Sequence, residues 1–421
     1  MNQLVYWVWL SLRCGAGSEW GSCLLQHFAS PKDIYEAKKE DLLAIDGIEE
    51  SFVLALMDRS LVLPQKIVEY CEKVDVGILT LESREYPERL RSIYAKPIVL
   101  YYKGKLPNID KNVLIACVGM RSCSQSGAQN AYRLGRDLVT AGAIVVSGLA
   151  DGIDAAAQRG AVDAGGHTIA VLGCGIDRVY PPQNAGLMNQ IANTGTLITE
   201  YAPGTAPMAR NFPVRNRIIS GLSQGTVVVE ANVRSGSLIT ANYAVKQGRD
   251  IFAFPGMPDS SHAKGTNTLI RKGAKLVVCA ADILEEYELL YPNRIFTENI
   301  SMQKHRRKQT ALPKPNAEEV FKQEIKSSES VQKRKETNIS VKETASVLQE
   351  SSSKRADACA DAEGREILSV IRNEMSVDEI AATLSAKKSK PYDIGALLGA
   401  LTVLEIEGFV CALPGGKYRL T

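Results

Sequence analysis

From Asn112 to Cys279 the chain repeats one pattern: a short apolar run, a turn carrying glycine, then apolar positions at helical spacing. The run from Asn112 to Val118 stops at Gly119-Met120-Arg121-Ser122, and Ser126 to Ala141 then has helical spacing. Ala143 to Val146 breaks at Ser147-Gly148-Leu149-Ala150, with a second helix starting at Asp151-Gly152-Ile153-Asp154. Thr168 to Leu172 stops at Gly173-Cys174-Gly175. Thr226 to Val229 leads through Glu230 and Ala231 to Arg234-Ser235-Gly236-Ser237-Leu238-Ile239-Thr240, and Asp250 to Phe254 closes on Pro255-Gly256. Five apolar runs alternating with helical segments predict a mostly parallel, doubly wound α/β sheet. Ligands of such sheets bind beyond the carboxyl ends of the strands, where all these glycine turns collect.

The flanking regions read differently. Residues 1–75 look helical, and Asp41-Leu42-Leu43-Ala44-Ile45-Asp46-Gly47-Ile48 resembles half of a helix-hairpin-helix. Glu49 and Glu50 follow that turn, where negative charge repels phosphate, so a structural helical domain is expected. In the connection Gly77 to Gly104, the segment Pro97 to Tyr102 is expected to add an edge strand to the sheet. Pro292 to about Ala360 is rich in Lys, Ser, Glu and Gln and poor in aromatics, which predicts a flexible basic linker. Helical spacing returns at Ile367 to Ile371, with Ser376 as N-cap for Val377 to Leu384 and a third helix over Ile394 to Glu407. Gly408 to Cys411 and Lys417 to Leu420 then pair through Pro414-Gly415-Gly416, completing a winged helix. Its expected recognition helix, Pro391 to Leu404, has no Arg or Lys beyond the flanking Lys387, Lys388 and Lys390, so protein contact or a structural role stands beside groove reading. The expected domains are therefore helical over 1–75, α/β over 76–291, linker over 292–360 and winged helix over 361–421.

Composition sharpens this picture. A chain of 421 residues with 45% hydrophobic content supports two or three domains. The formal charge of +3 is unevenly placed: Asn293 to Ala356 holds 14 Lys and Arg against 8 Asp and Glu, leaving 36 against 39 elsewhere. Any nucleic-acid site in the folded parts must then be a local patch. Nine cysteines without a CxxC pair fit reduced thiols in a cytoplasmic protein. The apolar opening Leu4 to Leu12 is too short to span a membrane and meets Arg13 at once. Four dispersed histidines argue against a metal site, and no cofactor is expected.

The strand-end turns carry the chemistry. The first amides of a helix lack internal partners, the helix dipole adds positive charge, and glycine lets an anion approach the backbone. Ser147, Ser235, Ser237 and Thr240 add hydroxyl donors, and Arg121 adds a fork suited to phosphate oxygens. A nuclease wants clustered carboxylates for metal, whereas Asp151 and Asp154 at a helix start are explained by capping. No GxGxxG follows the first strand, which argues against a dinucleotide oxidoreductase. The residues point to a protein that holds a phosphodiester backbone without cutting it.

Seven motifs in order also resemble a known family: Arg84-Glu85-Tyr86-Pro87, Val118-Gly119-Met120-Arg121, Val146 to Asp154, Thr168 to Gly173, Phe212 to Ile219, Ser235 to Thr240 and Gln247-Gly248-Arg249-Asp250. Together they are similar to the DNA-processing protein A family, DprA, also called Smf. The resemblance implies an extended Rossmann-like domain, flanked by the helical N-terminus and the winged helix. It also implies a non-enzymatic function: binding and protecting single-stranded DNA and loading the RecA recombinase in natural transformation (competence) and DNA recombination. It further implies a homodimer formed through the same domain. By motif, the DNA-phosphate site would comprise Gly119, Arg121, Ser147, Gly148, Gly152, Arg215, Asn216, Arg217, Ser235, Gly236, Ser237 and Thr240. Arg215, Asn216 and Arg217 are consecutive on a helix and cannot all face the ligand; an ion pair of one arginine with Asp154 or Glu230 is the competing reading. Two positions depart from the family pattern, Met120 where a small hydroxyl residue is usual and Gln158 where histidine is expected. The alternative is a nucleotide-binding phosphoribohydrolase, but the sheet region lacks its Pro-Gly-Gly-x-Gly-Thr loop, and Pro414-Gly415-Gly416 lies in the terminal hairpin.

Overall fold

The structure, a computed structural model, describes residues 2–300, 362–371, 375–388, 409–413 and 417–420, with Leu397, Ala400, Leu401 and Leu404. Contacts divide the chain into one unit over Met1–Lys304 and a second over His305–Thr421.

The first unit opens with six helices: α1 (Gln3–Cys14), α2 (Trp20–His27), α3 (Pro31–Glu36), α4 (Lys39–Leu43), α5 (Glu50–Met57) and α6 (Val62–Lys73). The apolar opening is the core helix of this layer. Asn2 caps α1 by accepting the Leu4 amide at 3.1 Å, and Val5, Val8, Trp9 and Leu10 are buried. The Trp9 indole N–H, which would be costly to bury alone, donates to the Asp58 carbonyl at 3.0 Å.

Nine strands follow among the described residues: β1 (Gly77–Thr80), β2 (Val99–Gly104), β3 (Leu114–Val118), β4 (Ile144–Ser147), β5 (Thr168–Val171), β6 (Thr196–Thr199), β7 (Gly225–Val228), β8 (Asp250–Ala253) and β9 (Lys275–Leu276). They form one sheet in the order β1-β2-β6-β5-β4-β3-β7-β8-β9. The β1/β2 and β2/β6 pairs are antiparallel and the others parallel. Between the strands run α7 (Glu88–Arg91), α8 (Gln125–Thr140), α9 (Ile153–Asp163), α10 (Ala185–Thr194), α11 (Asn211–Leu222), α12 (Gly236–Lys246) and α13 (Lys264–Arg271), and α14 (Ala280–Leu284) follows β9.

Alternation along β3 shows why the sheet is covered twice. Ile115 and Cys117 pack with Leu134 and Leu138 of α8, Ala157 and Ala161 of α9 and Ile283 of α14. Leu114, Ala116 and Val118 point the other way, onto Ile218, Ile219 and Leu222 of α11 and Ala241 of α12. Both side-chain sets of one strand are apolar because each meets a helical layer. On the first face α8 and α9 approach closely through glycine. A Cβ at Gly135 would stand 1.9 Å from the Ala157 carbonyl oxygen, and one at Gly160 would stand 2.0 Å from that of Tyr132.

Four features differ from the sequence expectations. The segment 97–102 supplies β2, which lies inside the sheet between β1 and β6 rather than at its edge. β6 is an additional strand, only four residues long, whose Thr-Leu-Ile-Thr pattern carries too little signal alone. The helical segment over 1–75 shares one core with the sheet: Val8, Trp9 and Leu24 cluster with Val99 and Tyr101 of β2 and Leu187 and Ile191 of α10. Packing also continues past Pro292, since the Phe296 amide donates to the Ala141 carbonyl at 2.9 Å and Ile300 is buried in the α8/α14 core. The remainder of the expected linker, to residue 360, lies outside the described residues.

The second unit contains α15 (Ala362–Val370), β10 (Met375–Ser376), α16 (Val377–Lys388), β11 (Val410–Leu413) and β12 (Lys417–Leu420). Its strands form an antiparallel sheet in the order β10-β12-β11. Ser376 starts α16 with a reciprocal cap: its hydroxyl accepts the Glu379 amide at 3.3 Å, and its amide donates to the Glu379 carboxylate at 2.8 Å. Ile367, Ile380, Leu384, Leu397, Leu401 and Leu404 form its core. Most of the expected third helix and the Pro414-Gly415-Gly416 turn lie outside the described residues.

Candidate nucleic-acid interface

Strands β3 and β7 are parallel neighbours, but their chains leave in opposite directions, β3 through α8 to β4 and β7 through α12 to β8. That reversal opens a crevice beyond their carboxyl ends, where doubly wound sheets place ligands. A cleft of about 580 Å³ occupies it. Its lining comes from the β3 turn (Gly119, Met120, Arg121, Ser122), from Phe212, Arg215 and Asn216 of α11, and from Ser235, Gly236, Ser237 and Thr240 around the start of α12.

The β3 turn is held by backbone crossing. Gly152 has φ +77°, and a Cβ there would stand 2.3 Å from the Met120 carbonyl oxygen, so only glycine fits. The Ile153 amide donates to that same carbonyl at 3.2 Å, and the Met120 amide donates to the Glu230 carbonyl at 3.0 Å. Gly152 therefore serves chain crossing rather than the approach of an anion. Glu230 is likewise committed, its carboxylate accepting the Ser124 amide at 2.9 Å and the Ser124 hydroxyl at 2.5 Å at the start of α8.

Arg121 stands exposed on this turn, with its guanidinium 5.3 Å from the centroid of the Phe212 ring. Arg215 lies 5.8 Å from the same centroid, and Tyr180 packs on Phe212 with ring centroids 5.1 Å apart. The two arginines have different fates. Arg215 is buried and donates to the carbonyls of Gly148, at 2.9 Å, and Val171. Asp154 stands beside the Arg215 guanidinium at Gly148, accepting the Gly148 amide at 3.0 Å. Burial pulls the Arg215 guanidinium down to about 10, opposed by Asp154, so it remains cationic at neutral pH. Burial pushes the Asp154 carboxyl up, with Arg215 and the Gly148 amide pulling it back.

Besides Gly152, four more of the expected site residues are placed elsewhere or otherwise used. Ser147 is fully buried and donates its hydroxyl to the Cys117 carbonyl at 2.6 Å, so it offers nothing to a ligand. Arg217 turns away from the cleft; its Nη2 donates to both Glu200 carboxylate oxygens at 2.7 and 2.8 Å, and its Nε donates to the Ala95 carbonyl at 3.1 Å. Its ion pair is thus with Glu200, neither Asp154 nor Glu230. Gly148 lines an adjoining recess of about 30 Å³ that shares Arg121, Tyr180 and Phe212. The Ser235 hydroxyl is spent on its own turn, accepting the Asn232 amide at 2.9 Å. Gly119, Arg121, Arg215, Asn216, Ser235, Gly236, Ser237 and Thr240 do line one cleft.

Two contributions escaped the sequence reading. Phe212 and Tyr180 form an aromatic wall; the signal available was Phe212 itself, at the start of the helix that carries the arginine pair. Gln158 also gains an explanation. Its carbonyl oxygen accepts the Leu149 amide at 3.0 Å and its amide donates to the Ile169 carbonyl at 3.2 Å, holding Leu149 at φ +55° in the turn after β4. A neutral amide satisfies both partners in a site with no access to water.

Among the described residues, no three His, Cys, Asp or Glu side chains gather to hold a metal, and no helix is long and apolar enough to cross a membrane.

Comparison with known proteins agrees with this architecture. The pattern of the family described as DNA recombination-mediator protein A matches residues 77–288. DNA processing protein DprA of Streptococcus pneumoniae is 45% identical over 203 residues, covering 48% of this chain and 71% of that protein. Protein Smf of Synechocystis is 36% identical over 287 residues, covering 67% of this chain and 72% of that protein. The X-ray structure of the S. pneumoniae DprA superposes with a TM-score of 0.60 at 34% identity, covering 68% of this chain and 99% of that one. The seven motifs, the strand-end cleft and these matches agree, and the chain belongs to the DNA recombination-mediator protein A family, which includes DprA and Smf.

Proposed function

We propose that this protein binds single-stranded DNA in the β3/β7 cleft, protects it, and loads RecA onto it as a homodimer during natural transformation and recombination. The observation that carries the reading is Arg121. It is an exposed guanidinium stacked on Phe212 at the strand ends, facing the start of α12. A cation for phosphate beside an aromatic face for a base suits an unpaired strand, whose bases are free to stack; paired bases are not. The family's DNA-processing members support the substrate class. The carboxylates near the cleft support binding without catalysis, because Asp154 is tied to Gly148 and Glu230 to Ser124. In this reading Gly119, Gly236, Ser237, Thr240 and Asn216 complete the contact surface, while Arg215 positions Phe212 from below. Free thiols at the eight described cysteines fit the reducing cytoplasm.

The test is a salt titration of fluorescent oligonucleotide binding, single-stranded against duplex. Arg121→Ala should weaken single-strand binding roughly tenfold and lower the slope of log K against log salt by about 0.7. Phe212→Ala should cost about 1–3 kcal/mol with little change in that slope. Unchanged affinity for Arg121→Ala, or tight binding to duplex alone, would sink the assignment. RecA filament growth on strands coated with a single-strand-binding protein, measured with and without this chain, tests the loading role.

A further inference from the structure

The cleft holds about 580 Å³, within the range of roughly 300–1,000 Å³ found for small-molecule sites. Its walls differ in chemistry. On one side α12, a helix of 11 residues, presents its first amides together with Ser237. On the other stand Phe212 and Tyr180.

Two buried polar atoms on this lining lack partners. Ser237 is 7% exposed and its hydroxyl makes no hydrogen bond; Arg215 is 3% exposed and its Nε makes none. Most buried donors in native proteins are satisfied, and of nine unpartnered side-chain atoms among the described residues these two belong to residues that line the cleft. The helix dipole adds positive charge at the same point. Arg121 and Arg215 are the cations of the lining, and Asp154 offsets Arg215. That balance suits one phosphate better than a polyphosphate.

We propose that each cleft takes a single nucleotide, its phosphate at the start of α12 and its base against Phe212, so that free nucleoside 5′-monophosphates bind there and compete with single-stranded DNA. The inference rests on the DNA-binding reading of the same cleft. A terminal phosphate carries more charge than a phosphodiester and gains more from the dipole, while a free nucleotide has no flanking chain to steer past the rim. Cellular nucleotide levels would then set how readily the cleft is open to a strand.

The experiment uses the full chain, calorimetry and displacement of a fluorescent oligo(dT), with thymidine 5′-monophosphate, thymidine, inorganic phosphate and thymidine 5′-triphosphate as probes. The monophosphate should bind once per chain, displace the oligonucleotide, and outcompete thymidine and phosphate by roughly tenfold or more. Ser237→Ala should weaken the monophosphate about tenfold without lowering the melting temperature, because the hydroxyl it removes has no partner in the fold. Failure of the monophosphate to displace an oligonucleotide whose binding still depends on Arg121 would overturn this inference and leave DNA binding standing. Phosphate competing as well as the monophosphate would overturn it too, removing the base wall, as would a triphosphate that binds more tightly. Oligonucleotide binding indifferent to Arg121→Ala would instead remove the underlying reading.

Discussion

Arg121, Arg215 and Arg217 share a side chain and differ in everything else. Arg121 is exposed over an aromatic ring, Arg215 is buried against carbonyls, and Arg217 is 3% exposed and bonded to both carboxylate oxygens of Glu200. Their substitutions should separate accordingly. Removing one partner of a buried ion pair leaves the other charge uncompensated, so Arg217→Ala should cost about 3–5 kcal/mol of stability. Urea denaturation of Arg217→Ala beside Arg121→Ala checks this, because the exposed arginine should change stability by less than about 0.5 kcal/mol. Equal stability of the two variants would contradict the structural role given to Arg217. Glycine-bearing turns and a nearby arginine were readable in the chain. The fate of each arginine was not, because its partners are distant in sequence: Gly148 lies 67 residues from Arg215, and Ala95 lies 122 from Arg217.

Elements were the most legible scale. Short apolar runs became strands where both faces met helices, as in β3, and Ser376 marked a helix start; Ser124, which caps α8, escaped the sequence reading because helical spacing is read only from Ser126. One helix start also carries a pH dependence. The Asp282 carboxylate accepts the amides of Val278 at 2.7 Å and Cys279 at 3.1 Å at the start of α14. Partial burial pushes its carboxyl up, but these bonds outweigh that and hold it below its ordinary value. A carboxyl depressed in the folded state contributes stability above its unfolded pKa and loses it as pH falls through the folded one. Asp282→Asn should therefore cost about 1 kcal/mol at neutral pH, and the difference from the unaltered chain should vanish in acid. Thermal melts of both proteins between neutral and acidic pH measure it; a gap that persists in acid would show that the cap acts without its charge.

At the scale of the whole molecule, the helical segment and the sheet are inseparable. Tyr101 and Val99 of β2 are fully buried beneath α1, and the Gly17 amide reaches the Glu200 carboxylate that also holds Arg217. A chain beginning at Gly77 would expose this apolar face although it keeps all the family motifs. It should aggregate or bind a hydrophobic dye, whereas a chain ending at Lys304 should melt cooperatively, keeping the complete cleft. Size-exclusion chromatography with dye binding distinguishes the two; a monodisperse, dye-free protein starting at Gly77 would show that the helical layer is dispensable.

What the chain determined by itself is local: apolar period, glycine at turns and hydroxyls at helix starts set most of the strands, the helices and the edge at which the cleft opens. These signals act over a few residues, and backbone sterics read them directly. Tertiary structure decided the rest. It placed β2 inside the sheet, joined residues 1–75 to the sheet core, assigned Ser147 and Arg217 to the interior, and brought Phe212 and Tyr180 together as one wall. Each of these depends on which distant segment arrives to satisfy a buried donor or cover an apolar face, and no local pattern along the chain encodes that arrival.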